Sequence, residues 1–546
     1  MTTINRLFEE AVAAHTERVA LRLLIPKERK SGRGIRLILN EISYERLGEM
    51  ASRFATALIE QGIQRGDRIA LISKPRSAWA TAFFGVLRSG AAVAPLDPEL
   101  QPGEIERILA EAGVKSVIAS GGLIDALREI RTRSAVDFSI VSMDRSEYDD
   151  VLFLDALLLG RTPLPAVDVE EKDLAILMYT SGTTGNAKGA MLTHGNIASN
   201  AVTTATTVVN LSPSDNFLSI VPWHHIYGLT VTLICAVISG GATTYAPADR
   251  NLAQVMLRAK PTIILGVPKL YNLLYGKIRE SIERSLLKRT IDRLSPRLMG
   301  RLVTHKLFGS GFRFFTSGGA PLSPEVANGF RRMGIGILEG YGLTETSPLL
   351  TTCERFATEP GMTAIRDVEI RIAGADEDGV GEVLARGPNI MAGYYNNEAA
   401  TREVIDDDGW FHTGDLGRLD GERLVLCGRA KNVIVLETGK NVYPEEVEWE
   451  LVNIPGIDEI MVYEGTRQGT PTVSAMIYPN WTALREAGVE TPEAALDTLW
   501  EQIKERNENL AVFKRIKARE SLSLVDQPFE KSVKLDIKRH KVQTGS

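Results

Sequence analysis

The sequence predicts an α/β fold in which parallel strands form sheets and helices cover them. Two observations carry this prediction. Short apolar runs alternate along the chain with longer amphipathic runs, and Gly, Pro and Asp separate them. Chains with this alternation form parallel sheets covered by helices. The chain has 546 residues, 44% of them hydrophobic, so it can build several domain-sized cores.

The first elements can be assigned in order from their periodicity. They are a strand at Arg68–Ser73, a helix at Trp79–Leu87, a strand at Ala91–Leu96, a helix at Gly103–Glu111, and strands at Val114–Ala119 and Leu174–Met178. In the amphipathic helices the apolar residues recur every three or four positions, as on one helix face. Ligands of parallel sheets bind at the carboxyl ends of strands. The loop after the last of these strands is therefore a candidate binding loop.

That loop, Tyr179–Gly189, reads YTSGTTGNAKG and holds three glycines, four Ser or Thr residues and one lysine. Glycines let backbone N–H groups approach an anion, hydroxyls donate to phosphate oxygens, and a lysine supplies positive charge. The spacing is not that of a Walker A loop, because a glycine follows the lysine. The composition predicts a loop that binds polyphosphate.

Six further motifs follow in order along the chain. They are PWHHIYG at 222–228, FTSGGAPL at 315–322, GYGLTETSP at 340–348, GWFHTGD at 409–415, GRAKN at 428–432 and GKNVYPEE at 439–446. Together with the loop they resemble the AMP-forming acyl-CoA synthetase superfamily, which includes peptide-synthetase adenylation domains and firefly-type luciferases. The motifs keep the order of that superfamily and cover nearly the whole chain.

The resemblance implies a large N-terminal domain of stacked sheets covered by helices (1–427), a hinge (428–431) and a small mobile α+β C-terminal domain (432–546). A change in pattern near Cys427 agrees with this boundary. Before it, Gly414–Leu426 predicts turns and short strands. After it, the remaining residues are enough for one small domain.

Most residues that match the superfamily would hold ATP or AMP. The polyphosphate group comprises Thr180, Ser181, Gly182, Thr183, Thr184 and Lys188. Small residues and one stacking ring would surround the adenine, and these are Gly318, Gly319, Ala320, Gly340, Tyr341 and Gly342. Thr344 would lie beside the α-phosphate and Glu345 would bind Mg²⁺. Asp415 and Arg429 would contact the ribose, since a carboxylate offers two acceptor oxygens to a diol.

The resemblance also implies a catalytic set: His225, Thr344, Glu345 and Lys440. His225 matches a pocket histidine near the substrate carboxylate, whereas we expect His224 to be a packing residue. Gly439 and Lys440 would border the channel for the pantetheine of coenzyme A, and Lys431 lies at the hinge. The implied activity joins a hydrophobic carboxylic acid to coenzyme A through an acyl-adenylate. The expected cofactors are ATP or AMP, Mg²⁺ and coenzyme A.

One position departs from the superfamily. The lysine that usually reaches the α-phosphate precedes an Ile-Lys-Arg-like triplet, and in this chain Asp536 takes its place. Either Lys534 substitutes for it, or the chain only converts a pre-formed acyl-adenylate and coenzyme A to the thioester. The motifs are also compatible with a ligase that loads a carrier protein and with a non-catalytic homologue that binds nucleotide or acyl-CoA.

Composition limits the partners and the compartment. A net charge of −6 argues against nucleic acid. The three cysteines match no disulfide or metal spacing, and there is no signal peptide or transmembrane segment, so we expect a cytoplasmic protein. A homodimer and an upstream adenylating enzyme are candidate partners besides the small molecules. The charged segment Leu270–Lys306 predicts a solvated helical face, with a membrane-surface role as the second interpretation.

Overall fold

The computed structural model describes residues 2–28, 35–134, 136–180, 187–245, 252–357, 359–437, 440–467, 470–531 and 537–542. These residues form two compact units. The larger unit comprises 1–358, 362–369 and 386–411, and the smaller comprises 359–361, 370–385 and 412–546.

The first half of the larger unit alternates strands and helices as predicted. In chain order the elements are α1 (Ile4–Ala14), β1 (Val19–Glu28), β2 (Ile35–Ser43), α2 (Tyr44–Glu60), β3 (Arg68–Ile72), α3 (Ser77–Arg88), β4 (Ala92–Leu96), α4 (Pro102–Ala112), β5 (Ser116–Ala119), α5 (Ile124–Arg133), β6 (Ser139–Ser142), β7 (Leu152–Phe153), α6 (Leu154–Leu157), β8 (Leu174–Thr180), β9 (Lys188–Thr193) and α7 (His194–Thr203). A seven-stranded sheet has the order β7-β6-β5-β3-β4-β8-β9. All its pairs are parallel except β8 with β9.

The second half of the larger unit supplies most of a second sheet. Its elements are β10 (Asn216–Ser219), α8 (Ile226–Gly228), α9 (Cys235–Ile238), β11 (Ala242–Tyr245), α10 (Leu252–Ala259), β12 (Ile263–Gly266), α11 (Pro268–Glu283), α12 (Leu286–Leu294), α13 (Pro296–Phe308), β13 (Phe314–Ser317), α14 (Pro324–Arg332), β14 (Gly336–Gly342), β15 (Leu349–Thr352), β16 (Met362–Ala364) and α15 (Glu398–Val404). Within this unit the strand order is β16-β15-β14-β13-β12-β10-β11-β1-β2.

Helix α3 lies in the interior of the larger unit, packed against helices α1 and α2 and against strands β3 and β4. Every α3 residue from Trp79 to Arg88 is buried. Trp79 packs against Trp223, which lies just after β10, with ring centroids 5.3 Å apart. Trp223 in turn meets Tyr245 of β11 at 5.7 Å. A helix that is apolar on all sides has to be covered on all sides, and α1, α2, the strands β3 and β4, and Trp223 supply that cover.

The smaller unit is an α+β assembly. Its elements are β17 (Glu369–Ala373), β18 (Gly381–Arg386), β19 (Phe411–Asp420), β20 (Arg423–Arg429), β21 (Ile434–Val435), β22 (Asn441–Val442), α16 (Pro444–Leu451), β23 (Ile457–Arg467), β24 (Thr470–Pro479), α17 (Trp481–Glu486), α18 (Pro492–Asn507) and β25 (Leu522–Leu524). Strands β17-β18-β19-β20 are neighbours in that order, and β23-β24-β25 form a separate sheet. The stretch Gly414–Leu426 holds strands and a turn as predicted, but the strands are longer than expected, with 10 residues in β19 and 7 in β20, and their pairing shifts register between Leu416 and Gly417.

Helix α16 carries a buried acidic residue. Glu448 accepts a hydrogen bond from the backbone N–H of Val462 at 2.6 Å and forms an ion pair with Arg539. Burial raises the pKa of Glu448 to about 7, and Glu445 adds to this rise while Arg539 opposes it. The carboxyl group therefore takes up a proton near neutral pH.

This pKa shift predicts a pH-dependent stability. Between about pH 4.5 and 7 the folded protein binds more protons than the unfolded chain, so the free energy of unfolding falls as pH rises. We expect a loss of about 2 kcal/mol over this range, and Glu448→Gln should remove it. Urea unfolding at several pH values measures the effect. Glu450→Gln, on the same helix, is the matched control, and an unchanged slope in Glu448→Gln would contradict the prediction.

Candidate active site

The predicted adenine-side residues meet at the carboxyl ends of two adjacent strands. Strands β13 and β14 are parallel, and Ser317 pairs in register with Glu339. Gly318 to Ala320 follow β13, and Gly340 to Gly342 close β14. Parallel strands bring their carboxyl ends to one edge of a sheet, the usual ligand position in α/β folds. The structure thus brings both predicted groups together.

A close contact explains the glycine after β13. A Cβ atom at Gly318 would lie 3.0 Å from the ring of Tyr227. The hydroxyl of Tyr227 lies 3.3 Å from that of Thr316. This contact ties α8 to the end of β13. It also places the PWHHIYG turn, with His225, beside the glycine residues.

Glu345 lies in a short 3₁₀ turn, Thr344–Thr346, directly after β14. Both Thr344 and Glu345 are buried. The hydroxyl of Tyr394 donates a hydrogen bond of 2.9 Å to Glu345 Oε1. Burial raises the pKa of Tyr394, and the Glu345 carboxylate raises it further, so the phenol keeps its proton and remains a donor. The predicted metal ligand is therefore held in place by a tyrosine.

The same tyrosine links Glu345 to the phosphate loop. The Nζ atom of Lys188 lies 5.0 Å from the centroid of the Tyr394 ring. Lys188 begins β9 and pairs in register with Thr180, the last residue of β8. Thr180 donates from its hydroxyl to the carbonyl of Lys188 at 3.4 Å. The structure thus brings Lys188 and Glu345 to one tyrosine, with Thr180 paired to Lys188.

Backbone hydrogen bonds connect the elements that carry this group. The N–H of Met391 donates to the carbonyl of Glu345 at 2.8 Å, and that of Ala392 donates to the carbonyl of Met191 at 2.9 Å. The N–H of Tyr395 donates to the carbonyl of Gly189 at 2.8 Å. The segment 391–395 thereby joins β9 to the Glu345 turn. The predicted loop residues Ser181, Gly182, Thr183 and Thr184 lie outside the described residues.

The two histidines of the PWHHIYG motif differ in surroundings. His224 is buried, and its Nε2 atom lies 3.5 Å from Asp97 Oδ2. Burial lowers the pKa of His224 to about 4, so the ring is neutral at pH 7 and the contact is not an ion pair. His225 is only half-buried and stacks edge-on against His224 at 4.4 Å. Its greater exposure makes it the better placed of the two to meet a ligand.

The predicted ribose contacts pair with each other in the smaller unit. Asp415 and Arg429 are partners across the β19–β20 hairpin, with Arg429 Nε 2.8 Å from Asp415 Oδ1. The Asp415 side chain is 10% exposed, whereas that of Arg429 is 39% exposed. The N–H of Asp415 also donates to the hydroxyl of Thr413 at 3.1 Å. The carboxylate is therefore fixed in orientation before any ligand binds.

The other predicted residues of the smaller unit lie near its surface. Lys431 belongs to the 3₁₀ turn Ala430–Asn432. Lys440 is exposed, and its Nζ atom lies 4.6 Å from the centroid of the Phe513 ring. Gly439, Lys534 and Asp536 lie outside the described residues. On either side of 532–536, Lys531 pairs with Ile537 in a β-bridge.

The chemistry of the larger unit fits a nucleotide with Mg²⁺. Ser317 Oγ is buried and has no hydrogen-bond partner among the described residues, so a ligand hydroxyl or phosphate would satisfy it. The described residues hold no cluster of three or more His, Cys, Asp or Glu side chains that could bind a metal ion. A Mg²⁺ ion held by Glu345 would thus take its other oxygen ligands from phosphates and water, as is usual for this ion.

Sequence reasoning missed Tyr394. It lies 49 residues after Glu345, in the run MAGYYNN, which carries no charged side chain. Its backbone pairs with Ala190 in an isolated β-bridge. Two adjacent tyrosines are common in protein cores, so only its contacts in the structure identify Tyr394 as a site residue. Gly393, just before it, was the one weak signal in the sequence that another backbone segment approaches closely here.

Fold and site together define a two-unit α/β protein whose predicted nucleotide-binding residues meet at one sheet edge. A family model described as AMP-binding enzyme matches residues 8–395, and one described as AMP-binding enzyme C-terminal domain matches 431–544. The chain therefore belongs to the AMP-binding enzyme family, as the motifs predicted. Its α/β fold, with a large sheet-rich part and a smaller C-terminal part, is confirmed.

Individual relatives share about a quarter to a third of their residues with this chain. It is 30% identical over 457 residues to long chain acyl-CoA synthetase 7, peroxisomal, of Arabidopsis thaliana, covering 75% of this chain and 65% of the relative, just under two thirds. It is 27% identical over 433 residues to feruloyl-CoA synthase of Amycolatopsis sp, covering 77% and 80%. The crystal structure of ATP-bound MatB from Rhodopseudomonas palustris is 25% identical, with a TM-score of 0.77 and coverage of 99% and 98%.

Asp415→Ala should weaken nucleotide binding. The change removes a fixed acceptor from the predicted ribose contact, and a hydrogen bond to a charged group is worth about 1.5–3 kcal/mol. We expect the affinity for ATP or AMP to fall about ten- to a hundredfold, measured by calorimetry. Asp420→Ala, at the far end of the same hairpin opposite Arg423, is the matched control. An unchanged affinity would remove Asp415 from the site.

Proposed function

We propose that this chain is an acid–thiol ligase that joins a hydrophobic carboxylic acid to coenzyme A through an acyl-adenylate. The observation that carries the proposal is the group formed by Lys188, Tyr394 and Glu345, in which a cation and a carboxylate contact the same tyrosine. Such a pair suits the first half-reaction, which has to bring two anions together. Positioning and electrostatics do most of the work in phosphoryl and nucleotidyl transfer.

In the first half-reaction, a carboxylate oxygen of the acid attacks the α-phosphorus of ATP. The bond from this phosphorus to the bridging oxygen breaks, and pyrophosphate leaves with the electron pair. Lys188 would offset the charge of the phosphates, and the Thr344 hydroxyl would donate to an α-phosphate oxygen. Mg²⁺ held by Glu345 would supply further positive charge to the phosphates. His225 would hold the substrate carboxylate near the glycine residues after β13.

In the second half-reaction, the sulfur of coenzyme A attacks the acyl carbonyl of the adenylate. The bond from the carbonyl carbon to the phosphate oxygen breaks, AMP leaves, and the thiol proton is lost to solvent or to the departing phosphate. We assign Asp415 and Arg429 to the ribose, and Gly439 and Lys440 to the pantetheine arm. We also propose that 428–431 form a hinge that assigns each half-reaction to its own arrangement of the N- and C-terminal domains.

The acid is proposed to be hydrophobic because two relatives are named for such acids. One is a long-chain acyl-CoA synthetase and the other a feruloyl-CoA synthase. The three cysteines are free and buried, which favours a reducing compartment and supports a cytoplasmic location. Among the described helices none is long and apolar enough to cross a bilayer.

A second candidate function rests on Asp536. A carboxylate at the position of the adenylating lysine has the wrong charge for a phosphoryl group, and loss of one well-placed stabilising group costs about 100- to 1000-fold in rate. If no other lysine compensates, the protein converts a supplied acyl-adenylate and coenzyme A to the thioester but adenylates slowly. An upstream enzyme would then have to supply the adenylate.

Separate assays of the two half-reactions decide between these candidates. Pyrophosphate release is measured with ATP and a panel of fatty and aromatic acids, and thioester formation with synthetic acyl-adenylates and coenzyme A. If Lys534 replaces the missing lysine, wild type adenylates well and Lys534→Ala abolishes that step alone. If adenylation is impaired, Asp536→Lys should raise pyrophosphate release about a hundredfold. Activity in neither assay would overturn the proposal in favour of a non-catalytic binding protein.

A further inference from the structure

Helices α12 and α13 carry an exposed surface that the proposed ligase reaction does not use. Leu286, Leu287 and Leu294 are 77%, 71% and 82% exposed, and Leu298 and Leu302 are about half exposed. Single exposed leucines are ordinary. Five of them on two consecutive helices form a feature that needs a cause. We call these leucines, with the cationic side chains between them, the α12–α13 surface.

These leucines lie outside the core, because the same helices contribute other residues to it. Ile291 of α12 and Val303 and Leu307 of α13 pack against the core, and Met299 and Phe308 are fully part of it. Helix α12 packs against α11 on one side and α13 on the other. Each helix thus has an inner face in the core and an outer face on which leucines are exposed. The outer leucines are consequently available to another surface.

The charge of this surface is positive although the chain as a whole is acidic. Residues 284–306 contain seven Lys and Arg and one acidic residue, Asp292, whereas the chain carries a net charge of −6. Asp292 is buried and paired with Arg279 at 2.8 Å. Arg284 is paired with Glu280. Most of the remaining cations are exposed, namely Arg289, Arg293, Arg297, Arg301 and Lys306.

Leucines and arginines alternate on the outer face of α13. Arg297 and Arg301 are one turn apart, as are Leu298 and Leu302, and all four are exposed. Long cationic side chains on such a face can extend sideways and reach phosphates while the leucines enter an apolar layer. This arrangement is typical of helices that lie in the interface of a lipid bilayer.

We propose that the α12–α13 surface docks on a bilayer that contains anionic lipids. The leucines would enter the boundary between headgroups and acyl chains, and the arginines would contact the lipid phosphates. Anionic lipid attracts Lys and Arg near the surface, and this attraction is lost beyond a Debye length. The proposal rests on the exposed residues alone and holds whichever half-reactions the site performs.

Charge and composition argue against other occupants. In a symmetric dimer built on this face, the same cations of both copies would meet, and like charges disfavour such an interface. The centre of a protein interface usually carries Tyr, Trp or Phe as anchors. Residues 284–306 contain none of these three. Leucine and arginine without aromatic anchors fit a fluid apolar layer better than a shaped protein pocket.

Vesicle flotation with the full-length chain tests the proposal. Vesicles of phosphatidylcholine are compared with vesicles that also contain phosphatidylglycerol, at low and high salt. We expect binding to the anionic vesicles that high salt weakens. The triple variant Arg293→Glu, Arg297→Glu, Arg301→Glu should bind about a hundredfold more weakly. The triple variant Leu286→Ser, Leu287→Ser, Leu294→Ser should also lose binding, since it removes the inserted apolar area.

Matched controls change equally exposed residues elsewhere. The first control is Leu159→Ser, at a leucine that is 72% exposed. The second is the double variant Arg6→Glu, Arg402→Glu, whose arginine side chains are 71% and 77% exposed. These variants should bind like wild type. Circular dichroism and vesicle-free thioester formation check that all variants fold. The comparison of lipids and salt concentrations uses wild-type protein only. The proposal can therefore be tested even if one variant fails to fold.

Three outcomes would overturn the proposal. Wild-type protein that ignores anionic vesicles excludes the bilayer. Equal binding by the controls and the surface variants excludes this face. A concentration-dependent dimer, measured by light scattering and lost in both triple variants without any vesicle binding, would assign the face to a second copy of the chain.

Discussion

Glu345→Gln is expected to slow pyrophosphate release in the adenylation half-reaction about 100- to 1000-fold. Gln can still accept the hydrogen bond from Tyr394, so the turn should keep its shape while the negative charge disappears. The rate of thioester formation from supplied acyl-adenylate should stay near that of wild type, because that step moves no pyrophosphate. The Asp536→Lys background gives a measurable starting rate if wild type adenylates slowly.

Tyr394→Phe is the matched control for this prediction. It keeps the Glu345 charge and the ring beside Lys188 but removes the hydroxyl donor. We expect a smaller loss of about tenfold, since one hydrogen bond to a charged group is worth about 1.5–3 kcal/mol and part of this is recovered by water. Equal losses in both half-reactions for Glu345→Gln would contradict the assignment of Glu345 to the phosphates.

Gly342→Ala is expected to reduce both half-reactions about a hundredfold or more. A Cβ atom at this position would lie 1.8 Å from the carbonyl oxygen of Pro348, a distance that no rearrangement of side chains relieves. The backbone from 344 to 348 would have to move, and with it Thr344 and Glu345. Misplacement of catalytic groups by about 1 Å costs on the order of a hundredfold in rate.

The same change should lower the free energy of unfolding by about 1–3 kcal/mol, the usual cost of overpacking. Gly276→Ala serves as the control, because Gly276 lies inside helix α11 and the added Cβ would meet no atom within 4 Å beyond its own chain neighbours and the adjacent helix backbone. That control should be neutral or slightly stabilising, since alanine favours helix. Gly342→Ala with wild-type activity and stability would show that the turn tolerates the shift.

The tertiary contacts give the predicted site a physical basis that the motifs lack. The motif GYGLTETSP places Glu345 near a strand end, but its orientation depends on Tyr394 and on the backbone of Met391. Likewise, Asp415 and Arg429 come from separate motifs, and the β19–β20 hairpin pairs them. We expect variants that disturb these supports to lose rate while the motif residues themselves remain.

The sequence by itself determined the family and the α/β class, and it named the candidate site residues. It could do so because strand and helix periods are local, and because the polyphosphate loop and the GYGLTETSP motif each hold their chemistry in consecutive residues. Those patterns can be recognised without knowing which residues pack against them. The strand predicted at Leu174–Met178 is an example, since it forms the larger part of β8.

Only the tertiary structure decided what depends on partners distant in the chain. The hydrogen bond from Tyr394 to Glu345 spans 49 residues and arises because segment 391–395 pairs with β9. The outer leucines of α12 and α13 resemble core residues in the sequence, and their exposure follows from which helix face the core takes up. In α12 and α13 the sequence places apolar residues on more than one helix face, and packing decides which face is buried.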